Sequence, residues 1–268
     1  MAFDIHGKEI NNPRVFTDFP GRLRFQAHRG LSTDYPENTL VALAAARRAG
    51  YDSVEIDPRI TSDGVVVLCH DTTIDRTSNG SGTISAMTYA QVAQYDFGGW
   101  FSAEFAGTKI PTAEETLMLC KQINLLPRWD SYFKLFSAEQ RQALYALIRK
   151  TGMGRFTGFN CGTDLTIAAE IMDALPDAEL HFDYLDPATL TAFAAKGEDV
   201  VVWIKQGASD AVAKADAIHA AGFRVGFWTI DNQDTATNVI DGCYADIIES
   251  NGGIDPLHYI REIMDSIS

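Results

Sequence analysis

Short apolar runs recur along the chain, separated by longer stretches in which apolar positions return every three or four residues. The short runs read as strands and the longer stretches as helices. Strands are expected at 25–28, 53–57, 124–130, 155–160, 179–183, 200–205, 224–229 and 246–249. Helical periodicity falls between them, at 40–49, 113–122, 138–150, 165–174, 187–195, 208–220 and 234–241. Strand and helix alternate, as in a parallel sheet with crossover helices. Periodicity leaves two arrangements open, a closed eight-stranded barrel and an open doubly wound sheet. One stretch breaks the alternation. Residues 63–109 contain a strand at 65–70 that ends on His70, then the turn-rich Thr77-Ser78-Asn79-Gly80-Ser81-Gly82 and the Gly98-Gly99 pair. This stretch is expected to be an insertion between the second strand and its helix.

Chemistry concentrates around that insertion. Glu55 and Asp57 lie two apart in the apolar strand Val54-Glu55-Ile56-Asp57. Side chains two apart leave the same face of a strand, about 7 Å from one another. Like charges at that spacing repel, so a cation between them is expected. All-oxygen donors suit a hard divalent ion, Mg²⁺ or Ca²⁺. His28 and His70 each end an apolar strand and can serve as acid and base. Arg29, beside His28, can make a bidentate phosphate contact. If the fold is a barrel, His28, Arg29, Glu55, Asp57, Asp130, Lys205 and Trp228 all lie near the strand ends that line its active-site face.

Composition narrows the setting. The 268 residues are 46% hydrophobic, which suits one large domain spanning the chain. A formal charge of −14 argues against a nucleic-acid backbone or an anionic membrane surface as partner, though not against a small phosphodiester. No apolar run of about 18 residues is present, so no membrane span is expected. The N-terminal stretch lacks the pattern of a secretory signal. Cys69, Cys120, Cys161 and Cys243 are scattered, as reduced thiols of a cytoplasmic protein would be. The oligomeric state is not encoded in any pattern found.

The motifs His28-Arg29-Gly30, Pro36-Glu37-Asn38-Thr39, Glu55-x-Asp57, Thr61-x-Asp63-Gly64, His70-Asp71 and Arg76-Thr77 occur in this order. They continue through Phe97-Gly98-Gly99-Trp100-Phe101, Gly107-Thr108-Lys109-Ile110-Pro111-Thr112 and the late Phe227-Trp228-Thr229. Together they resemble the glycerophosphodiester phosphodiesterases. The resemblance implies a TIM (β/α)₈ barrel whose 63–109 insertion caps the active-site mouth. It implies a divalent metal on Glu55 and Asp57, phosphate contact by Arg29, and acid/base catalysis by His28 and His70. Trp228 would line the substrate pocket. Asn38 or Thr39 is expected to cap the first helix.

The chain departs from the family at its fourth strand, where a Glu-x-Lys pair is usual. The sequence there is Leu126-Pro127-Arg128-Trp129-Asp130. Asp130 is the carboxylate able to serve as third metal ligand, and Arg128 or Lys205 could replace the lysine. The closing motif is also altered, to Glu249-Ser250-Asn251-Gly252. The expected activity is metal-dependent hydrolysis of a glycerophosphodiester to a phosphomonoester and an alcohol. A sugar phosphodiester or lysophospholipid substrate stays open, as does a non-catalytic phosphate-binding protein on the same scaffold.

Overall fold

The computed structural model describes residues 23–194, 200–243 and 245–256. The chain runs β1 (Arg24–His28), α1 (Leu40–Arg48), β2 (Ser53–Ile56), the hairpin β3 (Pro58–Ile60) and β4 (Val66–Leu68), and a short α2 (Tyr89–Val92). It continues with α3 (Ala113–Ile123), β5 (Leu126–Trp129), α4 (Ala138–Thr151), β6 (Gly158–Gly162), α5 (Leu165–Ala174) and β7 (Glu179–Asp183). Then follow α6 (Pro187–Ala194), β8 (Val200–Lys205), α7 (Ala211–Ala220), β9 (Arg224–Trp228), α8 (Gln233–Cys243) and β10 (Ile247–Ser250).

Strands buried on both faces need cover on both sides, which parallel sheets obtain from their crossover helices. All of Ser53–Ile56 and the first five residues of β8 are buried. Eight parallel strands close into a barrel in the order β1-β10-β9-β8-β7-β6-β5-β2. The alternation alone left a doubly wound sheet possible; the pairing of β1 with both β10 and β2 selects the barrel.

The barrel strands are those expected, with their ends moved. β2 stops at Ile56 rather than Asp57. Pro58 follows, and a proline cannot donate to a central ladder. The chain therefore leaves the barrel there, and β3 pairs antiparallel with β4, Pro58 opposite Leu68. β4 ends at Leu68, so His70 lies in the loop beyond it. The strand expected at 155–160 begins only at Gly158, because Gly154–Phe156 forms a 3₁₀ turn.

Two hydrophobic cores result. The larger packs helices onto the barrel, with Leu43, Trp129, Tyr145, Phe159 and Phe182 fully buried. The smaller consists of Val67, Cys69, Ile74, Ile84, Val92, Phe97 and Ile110 and holds together the excursion between β2 and α3. That excursion is the structure which delivers His70.

Helix α1 fixes the rim beside β1. Thr39 caps it by accepting from the Ala42 N–H at 3.3 Å, and Ala42, Leu43, Ala45 and Ala46 form its buried face. Small residues let the helix approach the β1–α1 loop closely. Gly30 sits there with φ of 87°, and a Cβ on it would lie 2.7 Å from the Ala42 Cβ and 2.8 Å from the Ala42 carbonyl carbon. Strain and overpacking each cost about 1–3 kcal/mol. Gly30→Ala is therefore expected to lower stability by at least about 2 kcal/mol in chemical denaturation. Among the described residues no helix is long and apolar enough to cross a membrane.

Candidate active site

The register of β1, β2 and β5 places His28 beside Glu55 and Glu55 beside Arg128. His28 Nδ1 meets Asn251 Oδ1 at 2.7 Å, and the Asn251 amide is oriented by donating through Nδ2 to Asp231 at 2.6 Å. Facing an amide oxygen, Nδ1 is assigned the proton, and Nε2 is left to accept one. Nε2 stands 3.9 Å from Glu55 Oε2.

Arg29 follows with a left-handed φ of 59°. Its backbone N–H points at Glu55, 3.1 Å from the carbonyl and 3.2 Å from Oε2. Its guanidinium lies against Asp57, with Nε 3.2 Å from Oδ2, and Nη1 donates to Glu37 at 3.2 Å. Glu55, on β2, and Asp57, just past its end, thus meet the same arginine, one at its backbone N–H and the other at its guanidinium. Burial works against the Arg29 charge, but Asp57, Glu55 and Glu37 outweigh it and raise its pKa. Asn38 does not cap α1. Its Nδ2 donates to Asp57 Oδ2 at 2.6 Å and its Oδ1 accepts the Asp57 N–H at 3.2 Å. Asp57 is thereby clamped from both ends.

The second histidine comes from the excursion. His70 Nδ1 lies 2.7 Å from Asp71 Oδ1, and Nε2 lies 3.3 Å from the Tyr132 hydroxyl. Arg59 stacks its guanidinium 3.7 Å from the Tyr132 ring centroid and donates to the carbonyls of Cys69 and His70. Hydrogen bonds from Arg76 hold the Asp71 carboxyl down at about 2.

A cavity of about 290 Å³ opens beside His28 and Glu55; Arg29, Asp57 and His70 are not on its wall, and Arg29 and His70 adjoin it through Glu55 and Tyr132. His28, Glu55, Arg128, Asp130, Tyr132, Asn160, Asp183, Trp203, Trp228 and Glu249 line it. It sits at the C-terminal ends of the strands, the functional end of such barrels. Arg128 stands at its floor, ion-paired with Glu249 and 4.7 Å from the Trp203 ring centroid. Gln26 Nε2 donates to the same Glu249 carboxylate at 2.5 Å. Arg128 also lines a second, smaller cavity at the N-terminal ends of the strands, so it stands between the two. Asp130 accepts the Tyr132 N–H at 3.2 Å through Oδ1 and opens the 3₁₀ turn Ser131–Leu135. Trp228 forms part of the cavity wall and is 38% exposed. Lys205, expected as a site cation, is exposed at the end of β8 and lies outside that wall. As the last residue of its strand it reaches past the rim, where its ammonium is hydrated.

Burial dominates the electrostatics of the site's carboxylates. Burial raises the Glu55 pKa well above the ordinary carboxylate range, and Asp57, Asp130 and Glu249 push it the same way. Asp57 is raised too, by burial that Arg29 and Asn38 offset only in part. Glu249 is held below the ordinary range because Arg128 outweighs its burial. Glu55, Asp57 and Asp130 offer only oxygen donors, which fits a hard divalent ion. Among the described residues no three His, Cys, Asp or Glu side chains form a ready metal-holding group as they stand.

Four contributors escaped the sequence reading: Asn38 on Asp57, Asn251 on His28, Tyr132 beside His70, and Glu249 on Arg128. Asn38, Glu249 and Asn251 lay inside motifs already singled out, but their partners were not deducible from spacing.

Comparison with known proteins places this arrangement. Residues 28–244 match the glycerophosphoryl diester phosphodiesterase family. A Caldanaerobacter subterraneus glycerophosphodiester phosphodiesterase is 43% identical over 93 residues, 35% of this chain and 38% of that protein. The mouse glycerophosphodiester phosphodiesterase 1 is 45% identical over 106 residues, 39% of this chain and 32% of its own length. The Bacillus subtilis protein YhdW is 28% identical over 242 residues, covering 84% of this chain and 96% of that one. An Oleispira antarctica phosphodiesterase solved with the product sn-glycerol-3-phosphate superposes with a TM-score of 0.73 at 23% identity, over 92% of this chain and 98% of that one. A glycerophosphodiester phosphodiesterase from Agrobacterium tumefaciens gives a TM-score of 0.69 at 23% identity, over 85% and 96%. These structural likenesses establish the barrel, and the match across residues 28–244 establishes more: the chain belongs to the glycerophosphoryl diester phosphodiesterase family.

Proposed function

We propose that this protein hydrolyses a glycerophosphodiester to a phosphomonoester, such as glycerol 3-phosphate, and an alcohol. The observation that supports it most is the pair of histidines whose Nδ1 atoms are each held by an oxygen, Asn251 behind His28 and Asp71 behind His70. This leaves the Nε2 of each ring for proton transfer, as a two-histidine acid/base mechanism needs. One histidine takes the proton of the attacking hydroxyl as its oxygen bonds to phosphorus. The other gives a proton to the departing alkoxide as the P–O bond breaks. Proton and electron pair balance, and the two rings exchange charge states over the step. Arg29 holds a phosphoryl oxygen and neutralises its growing charge. Glu55, Asp57 and Asp130 would hold Mg²⁺ or Ca²⁺, which supplies further charge stabilisation at the phosphoryl oxygens. Arg128, with Trp228, lines the space left for the alcohol or glycerol portion.

The test is a panel of phosphodiesters assayed with Mg²⁺ and with Ca²⁺, following phosphomonoester release. Turnover of glycerophosphodiesters ahead of sugar phosphodiesters and lysophospholipids is the expected pattern, and no release from any of them would refute it. Asp130→Ala should weaken divalent-metal affinity about 10- to 100-fold in calorimetry. Unchanged affinity would remove Asp130 from the ligand set.

A further inference from the structure

The groups that would act on the diester stand on two different cores. His28, Arg29 and Glu55 belong to the barrel, whereas His70 is carried by the small cluster around Val67, Ile74 and Phe97. Hydrolysis requires both to keep one geometry. Arg59 secures the His70 carbonyl, but the carbonyl does not fix how the ring is turned.

Arg76 crosses the gap with both edges of its guanidinium occupied. Toward the excursion, Nε donates to Asp71 Oδ2 at 2.8 Å and Nη2 to Asp71 Oδ1 at 3.2 Å. Toward the barrel rim, Nη1 and Nη2 donate to the two Glu37 oxygens, each at 2.8 Å. Asp71 in turn receives His70 Nδ1 at 2.7 Å, and Glu37 receives Arg29 Nη1 at 3.2 Å. The contacts form one line from the imidazole to the phosphate-binding arginine: His70, Asp71, Arg76, Glu37, Arg29. We propose that Arg76 is a positioning residue that sets the His70 ring relative to Arg29 through this line. The inference rests on the phosphodiesterase reading given above.

Single exposed ion pairs contribute little, but bidentate geometry within a network is the exception. Burial raises Glu37, yet Arg76 and Arg29 outweigh it and hold its carboxyl below the ordinary range, so it stays charged and engaged. Arg76 itself is 43% exposed, so its loss removes no core packing. A lysine could not replace it. Its ammonium is a point charge and cannot present parallel N–H pairs to two carboxylates.

The test compares wild type, Arg76→Ala and Arg76→Lys on one glycerophosphodiester. Arg76→Ala is expected to lower kcat about 30-fold with KM within about threefold, because misplacing a reacting group by about 1 Å costs about a hundredfold. Non-denaturing guanidinium should restore part of the kcat of Arg76→Ala and none of that of His70→Ala. Arg76→Lys should stay impaired. Wild-type kcat in Arg76→Ala, full activity in Arg76→Lys, or a loss that guanidinium leaves untouched would each overturn the proposal. A readout free of turnover separates this from the activity itself. The His70 Nδ1 proton should be protected from exchange in wild-type NMR spectra and lose protection in Arg76→Ala. Unchanged protection would overturn the positioning role even in a protein whose substrate had been misjudged.

Discussion

His28→Ala and His70→Ala are each expected to reduce kcat for a glycerophosphodiester by about a thousandfold. Neither ring has a substitute at its station. His28 Nε2 faces Glu55 at 3.9 Å from within the β1–β2 register, and His70 Nε2 lies 3.3 Å from the Tyr132 hydroxyl. Alanine removes the proton carrier while leaving Arg29 and the carboxylates, so substrate affinity should change far less than kcat. The double variant should lose little more than either single one, because the two rings serve one step. Steady-state assays of phosphomonoester release check this, and wild-type rates in either single variant would contradict the two-histidine mechanism.

Stripping divalent ions with a chelator should be as damaging. Charge stabilisation of several kcal/mol at the phosphoryl oxygens corresponds to about a thousandfold in rate. Restoring Mg²⁺ or Ca²⁺ should recover it. The metal-free protein carries a signature of its own. Burial and neighbouring carboxylates raise Glu55, so the folded state keeps a proton there that the unfolded chain has released. Over the interval between those two pKa values, stability falls as pH rises. A cation displaces that proton, and metal binding should therefore strengthen with pH. The rise in melting temperature on adding the ion is expected to be larger at about pH 8 than at about pH 5.5. An increment that ignores pH would separate Glu55 from the metal, and activity that survives chelation would dismiss the ion.

Much of this architecture was legible before any coordinates. Glu55 and Asp57 could be paired because strand geometry turns a spacing of two into a shared face. The barrel strands could be placed because each is a buried apolar run between amphipathic helices. What resisted was contact made by closure. Asn251 reaches His28 across 223 positions of sequence, and Glu249 meets Arg128 across 121, both through the ring of strands that brings β10 to β1. Asn38 sits two residues before α1, close to the position where capping is the ordinary use of asparagine. Here Thr39 takes the cap, and a left-handed φ of 57° at Asn38 leaves its amide for Asp57. Lys205, a cation ending a buried strand, is exposed and is not on the cavity wall.

The chain leaves the barrel at Pro58 and forms a miniature hydrophobic unit before returning at α3. That unit has its own few apolar anchors and antiparallel hairpin, and its stability need not equal that of the eight-stranded scaffold. His70, one of the two proposed proton carriers, therefore travels on the less heavily anchored piece. Warming or mild denaturant that loosens the hairpin would remove the proposed activity while the main sheet stays closed, so inactivation would mark a local melting event.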